Sequence, residues 1–261
     1  MALMRSNPPL RLSRTPLIYV VTQIRFSAIV SIEKYVPEVQ EKLRHKYPWF
    51  QHSKIQEFTL QAQAASTSTN DRYEFLQRDK RTGVVLTSNS LALHTNKYSN
   101  YEVFIAEFSQ ALASIDESID IGPIERIGLR YVDLVRLGEN ESWADYFAEG
   151  LLGLEPSSVG VTQWNARQFA CVGKTNVGTL MVRLMQSDHP LPPDLTPPTL
   201  QYETELLRTN EVGTILDFDH FSEQMRDFEL EPVITAIGDL HDNVDRAFRN
   251  AVTPAALRKW E

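Results

Sequence analysis

Four side chains raise the first chemical question. Arg25 sits between Ile24 and Phe26 and Arg130 between Leu129 and Tyr131 in extended runs, and Gln23 and Arg126 are on the same sides of the pleat as these arginines. Planar guanidinium forks bind carboxylates and phosphates bidentately, so the three cations together read as an anion-binding face. The plainer reading is internal ion pairing, with Asp217 and Asp219 as ready partners two residues apart on one strand face. Asp217-Phe218-Asp219-His220 also suggests a hard cation held by two carboxylates. His220 projects the other way, however, so the run supplies two ligands and no metal is assigned.

Other candidates lead less far. Gly173-Lys174-Thr175 resembles the end of a P-loop, but Gln168 stands where the earlier glycine belongs, and a hairpin turn fits better. Cys171 lies among Phe169, Ala170 and Val172 and reads as a packed thiol. His241, with Asp242 and Asp245, sits on an amphipathic helix, where a solvated or capping role is the default. Tyr98, Tyr101, Trp143 and Tyr146 are core edges or a contact patch. GxSxG, HExxH and glycine-rich dinucleotide motifs do not occur, so no catalytic residue and no cofactor is assigned.

The elements that must position the arginines follow from periodicity. In Ile124–Leu137, Ile127, Leu129, Tyr131, Val135 and Leu137 point one way and Arg126, Gly128, Arg130 and Arg136 the other. The segment Gln23-Ile24-Arg25-Phe26 repeats Gly128-Leu129-Arg130-Tyr131, which suggests an internal duplication. The first strand spans Leu17–Val30, and a helix capped by Ser31 runs to about Lys46. A polar loop at Gln61–Asn70 precedes short strands at Arg72–Arg78, Val84–Thr87 and Leu91–Thr95 and a helix over Asn100–Ile115. After Ile124–Leu137 come a helix begun by Ser142, a hairpin of Trp164–Val172 with Val177–Gln186, and a Pro-rich excursion at 187–199. Strand Gly213–Phe221, a helix over Pro232–Asn250 and a last helix opening at Thr253-Pro254 close the chain.

The fold class expected is therefore α+β. Residues 1–16 read as a flexible basic tail, 17–123 as one β-α-β-β-β-α unit and 124–261 as a second. Joined, the units make a sheet of about eight antiparallel strands with helices on one face. Duplicated sheets such as that of the TATA-binding protein share this plan, an analogy of fold that implies no DNA function.

Composition bounds the rest. The 261 residues are 42% hydrophobic and 23% charged, enough for a sizeable core and against general disorder. A net charge of −8 disfavours non-specific binding of nucleic acid. One cysteine excludes an intrachain disulfide and CxxC metal sites, which suits a reducing cytosol. No apolar run reaches the ~18–20 residues that span a bilayer.

Taken together, the pieces PLIYVVTQIRF, SLALHTNKYSNYEVFIAEF, IERIGLRYVDLV, ILDFDHF and LHDNVDRAFRNAVTP resemble a sporadically distributed bacterial and archaeal family of about this length. The likeness runs from about Leu17 to Pro254. The family has no established function or catalytic residues, so the resemblance carries none over. Its members more often have Asn where this chain has Asp133. Their patchy distribution implies an accessory, toxin–antitoxin or defence context. The function expected is that of a non-enzymatic cytosolic module that recognises a protein or peptide partner, with self-association left open. The alternative is a site for a small anionic ligand, or an enzyme, on the arginine-bearing face.

Overall fold

The structure is a computed structural model and describes residues 10, 12–61, 64–187, 189, 191, 192, 194, 195, 199–202 and 212–261. Among these residues nine strands form one antiparallel sheet in the order β2-β3-β4-β5-β1-β6-β9-β8-β7. They are β1 (Leu17–Phe26), β2 (Trp49–Gln61), β3 (Ala64–Leu76), β4 (Thr82–Leu86), β5 (Ser90–Thr95), β6 (Ile124–Val135), β7 (Gln168–Lys174), β8 (Thr179–Ser187) and β9 (Gly213–Ser222). The helices are α1 (Val36–Leu43), α2 (Tyr101–Ile119), α3 (Trp143–Tyr146), α4 (Glu149–Leu152), α5 (Leu230–Ala251) and α6 (Pro254–Trp260). Among the described residues no helix is long and apolar enough to cross a membrane.

One sheet face carries the main core. Val20, Ile24 and Phe26 of β1, Ile127, Leu129 and Tyr131 of β6, and Phe218 of β9 pack under Phe104, Phe108, Leu112 and Ile115 of α2 and Val233, Ile237, Leu240 and Val244 of α5. The two long helices form where they do for local reasons. Each places an apolar residue every three or four positions, and Asn100 Oδ1 caps α2 by accepting from the Val103 amide at 2.9 Å. Thr253 caps α6 in the same way, with Pro254 at its first position.

Several expectations need correction. The first half holds one strand more than expected, because β2 and β3 form a hairpin where Gln61–Asn70 reads as loop. β4 pairs only with Tyr73–Leu76, so 64–72 of β3 pairs with β2 alone among the described strands. That ribbon is nine residues long, or about 30 Å. Its sequence, rich in Gln, Ser, Thr and Ala, lacks the apolar alternation by which a half-buried strand is recognised. β1 ends at Phe26, and Ser31 makes no capping bond; a 3₁₀ turn at Ile32–Lys34 leads into the shorter α1. Residues 1–9 and 11 of the expected tail lie outside the described residues. Arg14 and Ser13, at its other end, are tied by hydrogen bonds to the C-terminal Trp260 and Glu261 carbonyls.

The other face is covered only in part, and by the chain itself. Leu191, Leu195, Leu200 and Tyr202 pack on Tyr19, Val132, Ile215, Leu76 and Met185. The Gln201 amide donates to the Lys80 carbonyl, and Asn96 donates to that of Gln201. The described part of the Pro-rich 187–199 stretch is thus no free surface excursion. It crosses the sheet and continues to residue 202, while 188, 190, 193 and 196–198 lie outside the described residues. Apolar contacts drive the crossing, since Leu200 is 5% exposed.

Candidate functional site on the partly covered sheet face

Parity places every expected site residue on this second face. Strands β1 and β6 pair antiparallel with Arg25 opposite Arg126, Gln23 opposite Gly128 and Val21 opposite Arg130. Leu129, between the arginines of β6, is buried beneath the helices, so the alternation that hides it turns Arg126 and Arg130 outward. In β9, Asp219 lies opposite Arg130 and Asp217 opposite Val132, on the same side.

Arg130 is buried and belongs to a closed set of charges. Its Nε and Nη2 donate to Asp217 Oδ1 and Oδ2 at 2.8 and 3.0 Å. Arg183, across from Asp217 on β8, donates from Nε to Oδ2 at 2.8 Å. Asp194, from the crossing segment, accepts from both arginines, at 3.2 Å in each of four contacts. Burial alone would lower the Arg130 pKa, but the carboxylates of Asp217 and Asp194 outweigh it and hold the guanidinium firmly charged. Asp194, despite its own partial burial, is held below the usual carboxylate range by Arg130 and Arg183.

Arg126 is placed differently. Its guanidinium lies 4.4 Å from the centre of the Phe221 ring and 3.7 Å from Asp219 Oδ1, and its Nη1 reaches Gln23 Oε1 at 3.5 Å. It lies flat over Gly128, where a Cβ would meet Nη1 at 2.7 Å. Burial pushes the Asp219 carboxyl up against the pull of Arg126. Arg25 is exposed and, among the described residues, makes no ion pair or side-chain hydrogen bond.

A second polar cluster on this face was not visible from sequence. Tyr19 Oη lies 3.3 Å from His94 Nδ1, and His94 Nε2 lies 2.8 Å from Glu74 Oε1, too misaligned for a hydrogen bond. Arg72 Nη2 reaches Glu74 Oε2 at 3.4 Å. Glu74 and His94 are both almost fully buried, and burial depresses the His94 pKa. The signal available was an ionisable residue next to apolar ones in each of three strands: Tyr19 beside Val20, Glu74 beside Phe75 and His94 beside Leu93. Such a residue calls for a buried partner, but not for a particular one. Arg183, inside Met181-Val182-Arg183-Leu184-Met185, gave the same signal.

Asp133 is buried at 3% exposure, and burial with the Asp217 charge raises its carboxyl to about 8. It is thus protonated at neutral pH and can donate as an asparagine would.

The remaining candidates separate. His220 faces the helices, with Nδ1 3.0 Å from the Leu240 carbonyl and Nε2 2.9 Å from Thr175 Oγ1, away from Asp217 and Asp219. Among the described residues no group of three or more metal-ligating side chains converges. Gly173-Lys174-Thr175 enters the β7–β8 hairpin, whose Gly178 comes so close to β9 that a Cβ would sit 2.1 Å from the Phe221 carbonyl oxygen. Cys171 is exposed on β7, which forms an edge of the sheet, and is not a packed thiol. His241 is not simply solvated: its ring stacks on Tyr101 at 4.0 Å, and Nδ1 lies 3.1 Å from Tyr131 Oη. Tyr101 and Tyr146 are buried, as core edges rather than a patch.

The uncovered end of the face thus presents exposed Arg25 beside half-buried Gln23 and Arg126. No protein-family model and no curated protein sequence matches the chain.

Proposed function

We propose that the chain is a non-enzymatic binding module that receives an acidic peptide segment of a protein partner on the second face of its sheet. The carrying observation is Arg25. It stands exposed beside half-buried Arg126 at the end of the face beyond the Val21–Val132 contacts of the crossing segment. Arg25, Arg126, Arg130 and Arg183 oppose Asp194, Asp217 and Asp219, which leaves one positive charge on a face of a chain whose net charge is −8. The cytosol is the compartment proposed, on the strength of the single, exposed cysteine.

The test is a display library of acidic, neutral and basic peptides panned on the wild type and on Arg25→Glu. Acidic sequences should be enriched on the wild type and lost on the variant, which keeps its fold because the position is exposed. Equal enrichment on both proteins, or none for acidic sequences, refutes the proposal.

Internal duplication belongs to the same reading. An axis between Gln23 and Gly128 that moves Arg25 onto Arg130 (130 − 25 = 105) also moves Val21 onto Arg126 (126 − 21 = 105). The pairs Val21–Arg130 and Arg25–Arg126 then exchange. The orders β3-β4-β5-β1 and β7-β8-β9-β6 support the same correspondence, with β2 as an addition to the first half.

A further inference from the structure

The two carboxylates held by Arg130 and Arg183 are not equivalent. Asp217 is fully buried and makes the three shorter bonds, at 2.8, 3.0 and 2.8 Å. Asp194 has a side chain 52% exposed and meets the same arginines only at 3.2 Å. Asp217 is the anchor: it fixes both guanidiniums from beneath along the edge formed by Nε and Nη2. On the solvent side Arg130, through Nη1 and Nη2, and Arg183, through Nη2, meet Asp194. Two arginines and one anchoring aspartate sum to one positive charge, so the position above them requires an anion.

We infer that Arg130 and Arg183, braced by Asp217, form a carboxylate-binding clasp, and that Asp194 occupies it as a built-in stand-in for an external carboxylate. The class of ligand follows from the occupant, a planar two-oxygen group that takes two nitrogens of the Arg130 fork, one per oxygen, and shares Arg183 Nη2 between its oxygens. Arg130 is four residues from Arg126 on one strand and on the same face, about 13 Å away. An extended peptide with acids at matching spacing would span the clasp and the Arg25–Arg126 end. In that last respect the inference rests on the proposed function, whereas the clasp itself does not. Asp194, being covalently present, competes with any free acid at high effective concentration, so the wild type should respond weakly to small carboxylates.

The experiment compares the wild type, Asp194→Asn and Asp194→Asn/Arg183→Lys. Each is titrated with succinate, with inorganic phosphate and with an N-acetylated Glu-containing tetrapeptide amide. Calorimetry gives the affinity, and the arginine Nε–H resonances report the site. Asp194→Asn should bind succinate and the peptide several-fold more tightly than the wild type, up to about fivefold. Adding Arg183→Lys, which preserves the bulk charge, should abolish the gain, because an ammonium lacks the planar Nε–Nη2 edge that meets Asp217 and the ligand together. Asp194 is half-exposed, so Asp194→Asn should fold; far-ultraviolet circular dichroism confirms it before titration. No gain in Asp194→Asn overturns the clasp, as does a gain that survives Arg183→Lys. A gain for phosphate alone overturns the carboxylate assignment. None of these results depends on Arg25, so a failed clasp and a failed peptide face remain distinguishable.

Discussion

Removing Asp217 tests the charge architecture most directly. Asp217→Ala leaves Arg130, itself 8% exposed, and Arg183 with only the half-exposed Asp194 between them. Removing one partner of a buried ion pair costs about 3–5 kcal/mol, chiefly because the remaining charge stays desolvated. In a protein of this size that lowers the melting temperature by roughly 6–20 °C. Asp194→Ala removes a carboxylate from the solvent side of the same arginines, where pairs contribute about 0–1 kcal/mol. Replacing the charges together, by Arg130→Met, Arg183→Met and Asp217→Leu, should recover most of the loss, since apolar groups of similar volume often match a buried pair. Urea unfolding followed by tryptophan fluorescence measures all three differences. If Asp194→Ala costs as much as Asp217→Ala, the division into anchor and displaceable occupant is wrong.

Two further outcomes are expected. Between its ordinary value of 3.8 and its folded value of about 8, Asp133 keeps a proton that the unfolded chain has released, so its contribution to stability falls as pH rises through that window, by up to about 1.4 kcal/mol per unit. Asp133→Asn removes this loss, and urea midpoints of variant and wild type should diverge from about pH 5 to about pH 8; parallel profiles would refute the assignment. Leu129, 1% exposed, should tolerate aspartate badly, at about 4 kcal/mol or more, whereas Arg25→Leu should change stability by no more than about 0.5 kcal/mol, both read from thermal melts.

What the sequence disclosed and what it hid have one physical cause. Arg25, Arg126 and Arg130 could be put on a shared face because Ile24, Leu129 and Tyr131 have to be buried, and a pleat leaves no other arrangement. The long helices were legible for the same reason, through the apolar stripes of α2 and α5. The β2–β3 ribbon was not, because its polar run carries no such alternation. An internal pair between Arg130 and Asp217 was legible from their shared face. Arg183 and Asp194 were not assigned to it, because pairing across strands depends on register, and Asp194 arrives from a segment whose path no local pattern dictates. The exposure of Cys171 escaped because apolar neighbours imply burial only for a strand covered on at least one side. β7 is an edge strand and is mostly exposed.

The central position of β6 has a consequence for how the chain is made. Its partner β1 has already left the ribosome when β6 is synthesised, but its other neighbour, β9, begins at Gly213, 78 residues after Val135 (213 − 135). At about 5–20 residues per second, translation of that interval takes roughly 4–16 s. During it the nascent sheet ends in β6, whose outer backbone groups are unpaired and whose apolar side awaits α5 as well as β9. For that interval the β6 edge is open to a chaperone, or to a neighbouring nascent copy on the same message.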